Sequence, residues 1–468
     1  MLIMAGALCA FGISGAETRD VPLYDSVPAA WTYEPQVTAV SPSDDAWWRL
    51  FDDKDMTTLI DMAMQQSLDL HQTRRRIEMA RQSWLASQSA WYPTVGLSAG
   101  WNRQRSSGDM SPGARPENIS YFNLGLNFSW EIDLFGRIAS QAKSEKYAYR
   151  ATKAEYDAAM ISLAANVAAA YINLLLARNE IAVADAQIKS QERINAITQA
   201  RHDCGLASKL DVSQSLSVLY ATQASLPMLR SQEAAAVNSL AMLIGVYPDK
   251  LAWLRHSESK LPNPFVMTEL GVPADLIRRR PDILAAEYQV AGYAAALGVA
   301  KKDFLPTLAI TGSVGTSARR LDNLFTDDSF TWSVAPQLSW TIFEGLSRKH
   351  NLTIARENML AGIDNYNLTV MNAVTEVDNA LEKYRYSLER ISLIRKVCDE
   401  SRQSLELALD RYKKGLAPFT DVMNAQVSLL DNENTLLAAR ASALASAVDI
   451  YRAVAGSPVS AGAGDSNK

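Results

Sequence analysis

The segment Cys204-Gly205-Leu206-Ala207-Ser208-Lys209-Leu210-Asp211-Val212 returns about 210 residues later as Lys414-Gly415-Leu416-Ala417-Pro418-Phe419-Thr420-Asp421-Val422. A chain duplicated at this distance must build two like units, so any fold assigned to one half has to serve the other. Other landmarks keep nearly the same offset: Tyr92-Pro93-Thr94-Val95 answers Leu305-Pro306-Thr307-Leu308, and Leu126-Asn127-Phe128-Ser129-Trp130 answers Pro336-Gln337-Leu338-Ser339-Trp340. In each copy a helical pattern runs into Arg201 or Arg411, stops at a glycine and restarts at an aspartate. Glycine ends helices in the left-handed conformation, so each copy reads as a helical hairpin with a tip.

The repeat sets the expected organisation. A first repeat covers 57–245: a helix, strands over 92–101 and 121–132, a helix over 136–204, a tip at 205–207 and a returning helix over 208–244. An equatorial linker covers 246–280. The second repeat covers 281–455: a helix, strands over 306–315 and 330–342, a helix over 346–414, a tip at 415–417 and a helix over 419–455.

Around Pro93 the hydrophobic period changes from 3.6 to 2. Val95, Leu97, Ala99 and Trp101 alternate with Gly96, Ser98 and Gly100, and Phe122, Leu124, Leu126, Phe128, Trp130 and Ile132 alternate with small or polar residues. The second repeat does the same. Such strands can face an ordinary core or a membrane. Their length of about 10 residues, the recurring aromatics and the hydrophilic opposite face suit a barrel with lipid outside and water inside. Four strands cannot close alone, because about eight is the practical minimum, and an open edge is not tolerated in lipid. Two copies would give eight strands, and three would give twelve with room for a pore.

The helices from Gly136 to Gly205 and from Gly345 to Gly415 span about 70 residues each, or roughly 100 Å. The returning helices carry heptads. Val212, Ser215, Leu219, Thr222, Leu226, Leu229, Glu233, Ala236 and Leu240 alternate spacings of three and four, and Val422, Ala425, Leu429, Asn432, Leu436, Ala439, Ala443, Ser446 and Ile450 repeat the pattern. Coiled-coil packing with small seam residues follows. In the long helix two stripes, through Leu163 and Val167 and through Ala165 and Ile172, imply two neighbours. The uncharged run from Ala158 to Ala177 is long enough to cross a membrane, but it is rich in alanine, is interrupted by Ser162, Asn166 and Asn173, and continues the heptad. It is read as core. Pro227 is expected to kink the first returning helix.

Residues 1–16 are apolar and end in Ser14-Gly15-Ala16, which suits a cleaved signal peptide and export. Residues 17–56, rich in proline and tryptophan, read as a strap, and 456–468 as a tail. Cys9 follows Gly6-Ala7-Leu8, a poor lipidation context, so lipidation there is not expected. Cys204 and Cys398 lie too far apart along the helices for a disulfide if the tips are level. The 4 histidines show no metal-ligand spacing. With a net charge of -5 and no basic stripe interleaved with aromatics, nucleic acid is not an expected partner, and Arg74-Arg75-Arg76 reads as a solvated face. Neither a cofactor nor an enzymatic site is expected, since nothing pairs a nucleophile with a base or arranges a phosphate loop.

The run Gly271-Val272-Pro273-Ala274-Asp275-Leu276-Ile277-Arg278-Arg279-Arg280-Pro281-Asp282-Ile283 with Ala285-Ala286-Glu287, the Trp48-Arg49-Leu50-Phe51 and Asp133-Leu134-Phe135-Gly136-Arg137 segments, and the Gly-Leu-Ala tips resemble the TolC-like outer-membrane efflux factors, in the branch serving resistance-nodulation-division pumps (OprM/NodT-like). The resemblance covers essentially the whole chain after residue 16. It implies long coiled-coil helices forming a periplasmic α-barrel and a homotrimer whose twelve strands form a transmembrane β-barrel in outer-membrane lipid. The function it implies is that of a passive duct for small molecules such as drugs, fed by a periplasmic adaptor (membrane fusion) protein and an inner-membrane RND pump. Gly205, Leu206, Ala207, Gly415, Leu416 and Ala417 are then expected to meet the adaptor. Arg411 and Tyr412 match the family's latch position, and Thr420, Asp421 and Asn424 its constriction. Relatives commonly carry Asp where this chain has Asn424. Asp421 therefore reads equally as a constriction residue or as a helix cap. A duct of an ABC-exporter type I protein secretion system is the rival within the class, disfavoured by the signature. A soluble periplasmic coiled-coil scaffold is the rival outside it.

Overall fold

The computed structural model describes residues 47–105, 117–257, 259–264 and 280–454. The expected signal segment with Cys9, the strap before Trp47, residues 271–279 of the signature and the tail lie outside the described residues. The chain divides into two units. One draws on the chain up to Arg74, on Ala154–Leu284 and on the chain from Asn367; the other on Arg75–Lys153 and Ala285–Tyr366.

The second unit contains the sheet. Its strands are β1 (Thr94–Arg105), β2 (Asn118–Ile132), β3 (Thr307–Ala318) and β4 (Phe330–Ser339), antiparallel in the order β1-β2-β3-β4. Register aligns the apolar residues on one face: Leu97 lies opposite Leu126, Leu126 opposite Val314, and Val314 opposite Trp332. That face is open. Leu97 is 72% exposed and Trp332 70%, whereas a strand serving as ordinary core would have buried them. Gly312 is needed where it stands, because the Phe128 ring occupies the space a Cβ would take; an aromatic laid over a cross-strand glycine pins register. The duplication is visible at the strand ends. Trp130 Nε1 donates to Trp91 O at 2.9 Å, and Trp340 Nε1 to Phe304 O at 3.0 Å.

Several boundaries differ from expectation: β1 runs on to Arg105 rather than 101, β2 starts at Asn118 rather than 121, and β3 covers Thr307–Ala318 rather than 306–315. β1 starts at Thr94 rather than 92, because Tyr92 closes a short 3-10 turn and Pro93 has no N–H for the ladder. β4 ends at Ser339, so Trp340 and Ile342 follow the strand instead of belonging to it.

The first unit contains α1 (Lys54–Gln66), the start of α2 (Leu68–Gln88), most of α3 (Arg137–Asp203) and of α6 (Ser347–Lys413), and all of α4 (Lys209–Ile244) and α7 (Phe419–Ala453); α5 (Pro281–Lys302) lies mainly in the other unit. The sequence suggested one helix before β1, but Ser67 leaves the helical conformation and splits it in two. Asp53 caps α1, accepting from Asp55 N at 2.8 Å and Met56 N at 3.0 Å. The heptad seams turn inward: Val212, Ser215, Leu219 and Leu240 are buried on α4, with Leu226, Leu229, Glu233 and Ala236 half-buried between them, and Val422, Leu429, Ala443 and Ile450 are buried on α7, where Ala425, Asn432 and Leu436 are half-buried. Polar seam residues are paired across helices, Gln191 Nε2 with Thr222 Oγ1 and Asn432 Nδ2 with Ser401 Oγ, both at 2.9 Å. The uncharged run of α3 joins this core through Val167, Tyr171 and Leu174. Pro227 lies inside α4 without ending it.

A polar clamp fastens the segment before α1 and the chain after α4 to α3. Tyr171 Oη donates to the Asp53 carboxylate at 3.1 Å, and Asp55 accepts from Ser257 and Ser259 hydroxyls. Burial, reinforced by the negative charges of Asp53 and Asp55, pushes the Tyr171 hydroxyl well above its ordinary pKa. It therefore stays a donor.

Candidate functional site: the helical tips

Both long helices end identically. Gly205 and Gly415 have φ of +73° and +75°, where a side chain is strained. Gly205 N donates to His202 O and Leu206 N to Arg201 O, both at 2.8 Å; Gly415 N donates to Tyr412 O at 3.0 Å and Leu416 N to Arg411 O at 2.9 Å. This double closure satisfies carbonyls a helix end would otherwise leave free. It turns Leu206 and Leu416 outward, each 65% exposed, with Ala207 and Ala417 half-buried behind them.

The restarts differ. Ser208 and Asp211 form a reciprocal capping box, with both bonds at 3.1 Å. At the second tip Pro418 holds the cap position with no side-chain bond. Asp421, the counterpart of Asp211, is exposed in the first turn of α7 and does not cap it. It still opposes the helix dipole favourably. Phe419 takes over the anchoring, buried edge-on against Tyr412 with ring centroids 5.4 Å apart in a small core with Ile194, Val422 and Leu429.

Of the expected latch pair, Tyr412 is therefore inside this core and Arg411 outside. The Tyr412 hydroxyl is buried without a hydrogen-bond partner among the described residues. Arg411 and Asp421 line one open cleft of about 490 Å³ between α6 and α7, together with Glu400 and Leu407. Thr420 and Asn424 are exposed on α7, on the same side as Asp421. The described residues hold no group of acidic, histidine or cysteine side chains able to bind a metal. Cys204 is free and exposed at the first tip; Cys398 is free and buried, donating to Asn432 O at 3.2 Å, and burial raises its thiol pKa.

A family model described as "outer membrane efflux protein" matches residues 59–246 and 272–456. The chain belongs to the outer membrane efflux protein family. It is 31% identical to outer membrane protein OprJ of Pseudomonas aeruginosa, over 94% of this chain and 91% of that protein. It is 29% identical to the solvent efflux pump outer membrane protein SrpC of Pseudomonas putida, over 87% and 86%. The solved structure of the outer-membrane channel OprN superposes with a TM-score of 0.82 at 29% identity, covering 95% of this chain and 98% of that one. The fold of this efflux protein is thus that of the TolC-like channels, and its place is the outer membrane.

One tip residue of this efflux protein escaped the sequence reading. Arg201 reaches from α3 to the second tip: Nη1 donates to Lys413 O at 2.7 Å, Nη2 to Leu206 O at 3.3 Å, and the guanidinium lies 4.9 Å from the centre of the Tyr412 ring. The signal was present, since Arg201 is the duplicate of Arg411. What the duplication could not reveal is that the pair has diverged in role, one arginine tying the two tips together and the other facing a cleft. Arg201→Ala removes two charged hydrogen bonds, the one to Leu206 O long, and a cation–π contact, together about 2 kcal/mol or more. Amide hydrogen exchange at Leu206 and Leu416 is expected to accelerate by about tenfold or more; unchanged exchange would show that each tip stands alone.

A second omission is Arg280, at the described end of the signature. Its Nη1 donates to Ala453 O at 2.6 Å while Nη2 bonds Asp282 at 2.7 Å and Glu376 at 3.0 Å. It thus fastens the last turn of α7 to α6, a physical reason for arginine, proline and aspartate in succession there.

Proposed function

We propose that three copies of this chain form the outer-membrane duct of a tripartite efflux system, passively conducting small molecules received from a periplasmic adaptor and an inner-membrane RND pump. The observation that carries the reading is the sheet: four strands in sequential order, with β1 and β4 as free edges and one continuous exposed apolar face. In lipid those edges must be paired, and β1 of one copy against β4 of the next does so with the same surface on every copy. Three copies close a twelve-stranded ring with a water-filled interior.

The helices support the same count-independent closure. Leu393 and Leu407 are exposed on α6 two heptads apart, and Met228 and Met242 on α4 likewise. Exposed apolar side chains at such intervals fit contacts between successive members of a ring of helices. The exposed Leu206 and Leu416 at the tips fit apolar contacts with adaptor hairpins. Work is supplied by the pump, and the chain is not an enzyme.

The test is the molar mass of the protein extracted from outer membranes in mild detergent, corrected for bound detergent. Three chains of 51.3 kDa give about 154 kDa, somewhat less after removal of a signal peptide. A monomer stable without detergent would end the duct reading.

A further inference from the structure

The apolar face of the sheet explains membrane insertion. Its other face carries information about cargo. Charged rings at a pore wall sort ions by sign, and in a trimer each charged side chain would be presented three times. Among the described residues of the polar face, alternating along all four strands, Glu131 is the sole charged side chain. Arg103 and Arg105 of β1 fall on the opposite parity, the one shared with Trp101.

Glu131 is itself answered. Arg137, at the first position of α3, donates through Nη2 to both of its carboxylate oxygens, at 2.9 and 3.0 Å, and through Nε at 3.3 Å. This forked geometry matches positive to negative charge at one level of the wall. Several neutral groups are also bonded to one another. Asn127 Nδ2 donates to Ser98 Oγ at 2.8 Å, Asn102 Nδ2 to Asn123 Oδ1 at 3.1 Å, and Ser313 and Ser333 hydroxyls share a bond of 2.9 Å. Side chains bonded sideways to one another withhold part of their hydrogen-bonding capacity from a passing solute, and the rest is uncharged.

We infer that the polar face of the sheet is an electrically silent, partly self-bonded wall, so that the strand section of the duct admits small cations, anions and neutral solutes without sorting them by charge. This rests on the duct reading above. Any preference for one class of cargo then arises outside the strands.

The experiment uses the purified full-length protein in planar lipid bilayers, with K⁺ and Cl⁻ as probes under a salt gradient, read at the largest conductance level. The doubly neutralised variant Glu131→Gln with Arg137→Gln is expected to keep the wild-type K⁺ to Cl⁻ permeability ratio. Asn127→Asp, close to isosteric, places three carboxylates in the wall and is expected to raise that ratio several-fold. A several-fold change in the double variant would overturn the inference by showing that the pair is not neutral to ions. An unchanged ratio in Asn127→Asp would overturn it by showing that this face does not line the pore. Absence of conductance from the wild-type protein would overturn the duct reading first and the inference with it.

Discussion

Gly415→Pro is expected to reduce export to background while trimer yield stays at the wild-type level. Proline fixes φ near -65° and has no N–H, whereas Gly415 sits at +75° and donates to Tyr412 O. The second tip must therefore open, losing the Leu416 closure as well, at a local cost of about 3 kcal/mol or more. The same change displaces the chain beneath Arg201, whose Nη2 is 3.7 Å from where a Cβ on residue 415 would stand. Tyr412 and Phe419 sit beside this turn, but the main core of the unit, around Val167, Tyr171 and Leu444, is a separate cluster, so assembly should survive. Gly415→Ala keeps the N–H and meets only the strain of a left-handed alanine, about 1–2 kcal/mol, and should retain much of the export. The check is accumulation of a fluorescent efflux substrate in cells relying on this channel, alongside detergent-corrected mass. Wild-type export by an intact Gly415→Pro trimer would remove the tip from partner docking.

The parts of this molecule that were legible in its sequence are those governed by short-range periodicity. The alternation around Leu97, Leu126 and Val314 sufficed to place these residues on one face, because strand side chains alternate whatever the partner strand is. The seams through Val212 and Val422 were likewise set by spacing alone. Less legible were features that depend on what arrives from elsewhere in the chain. Ser67 breaks the helix before β1 although nothing in its immediate neighbours forbids continuation. Asp211 and Asp421 occupy equivalent positions, yet the first caps its helix because Ser208 precedes it and the second cannot because Pro418 does. Arg201 makes its shortest hydrogen bond to a residue 212 positions away. Its role follows from packing between repeats, which a comparison of the repeats with each other does not contain.

Val314→Arg is expected to lower the outer-membrane trimer by more than tenfold, and Ser313→Arg, one residue away, to leave it near the wild-type level. Val314 lies at the middle of β3 between Leu126 and Trp332, on the exposed apolar face. If that face meets lipid, an arginine near the bilayer midplane costs about 2–4 kcal/mol per chain, and a trimer carries three. Even the lower figure, counted once, exceeds the 1.4 kcal/mol of a tenfold change. Ser313 points the other way, opposite Ser333 and Asn127, where an arginine would extend into water and cost little beyond the lost hydroxyl bond. Both variants place the same side chain at adjacent positions, so position along the strand nearly cancels; the β propensity lost with valine is at most about 1 kcal/mol, less than the cost of an arginine in hydrocarbon in each of three chains, and the medium on each side of the sheet dominates what remains. Quantifying trimer in outer-membrane fractions therefore reads that medium directly. Equal tolerance of both arginines would mean that neither face is in hydrocarbon, and equal intolerance that the sheet is covered by protein on both sides.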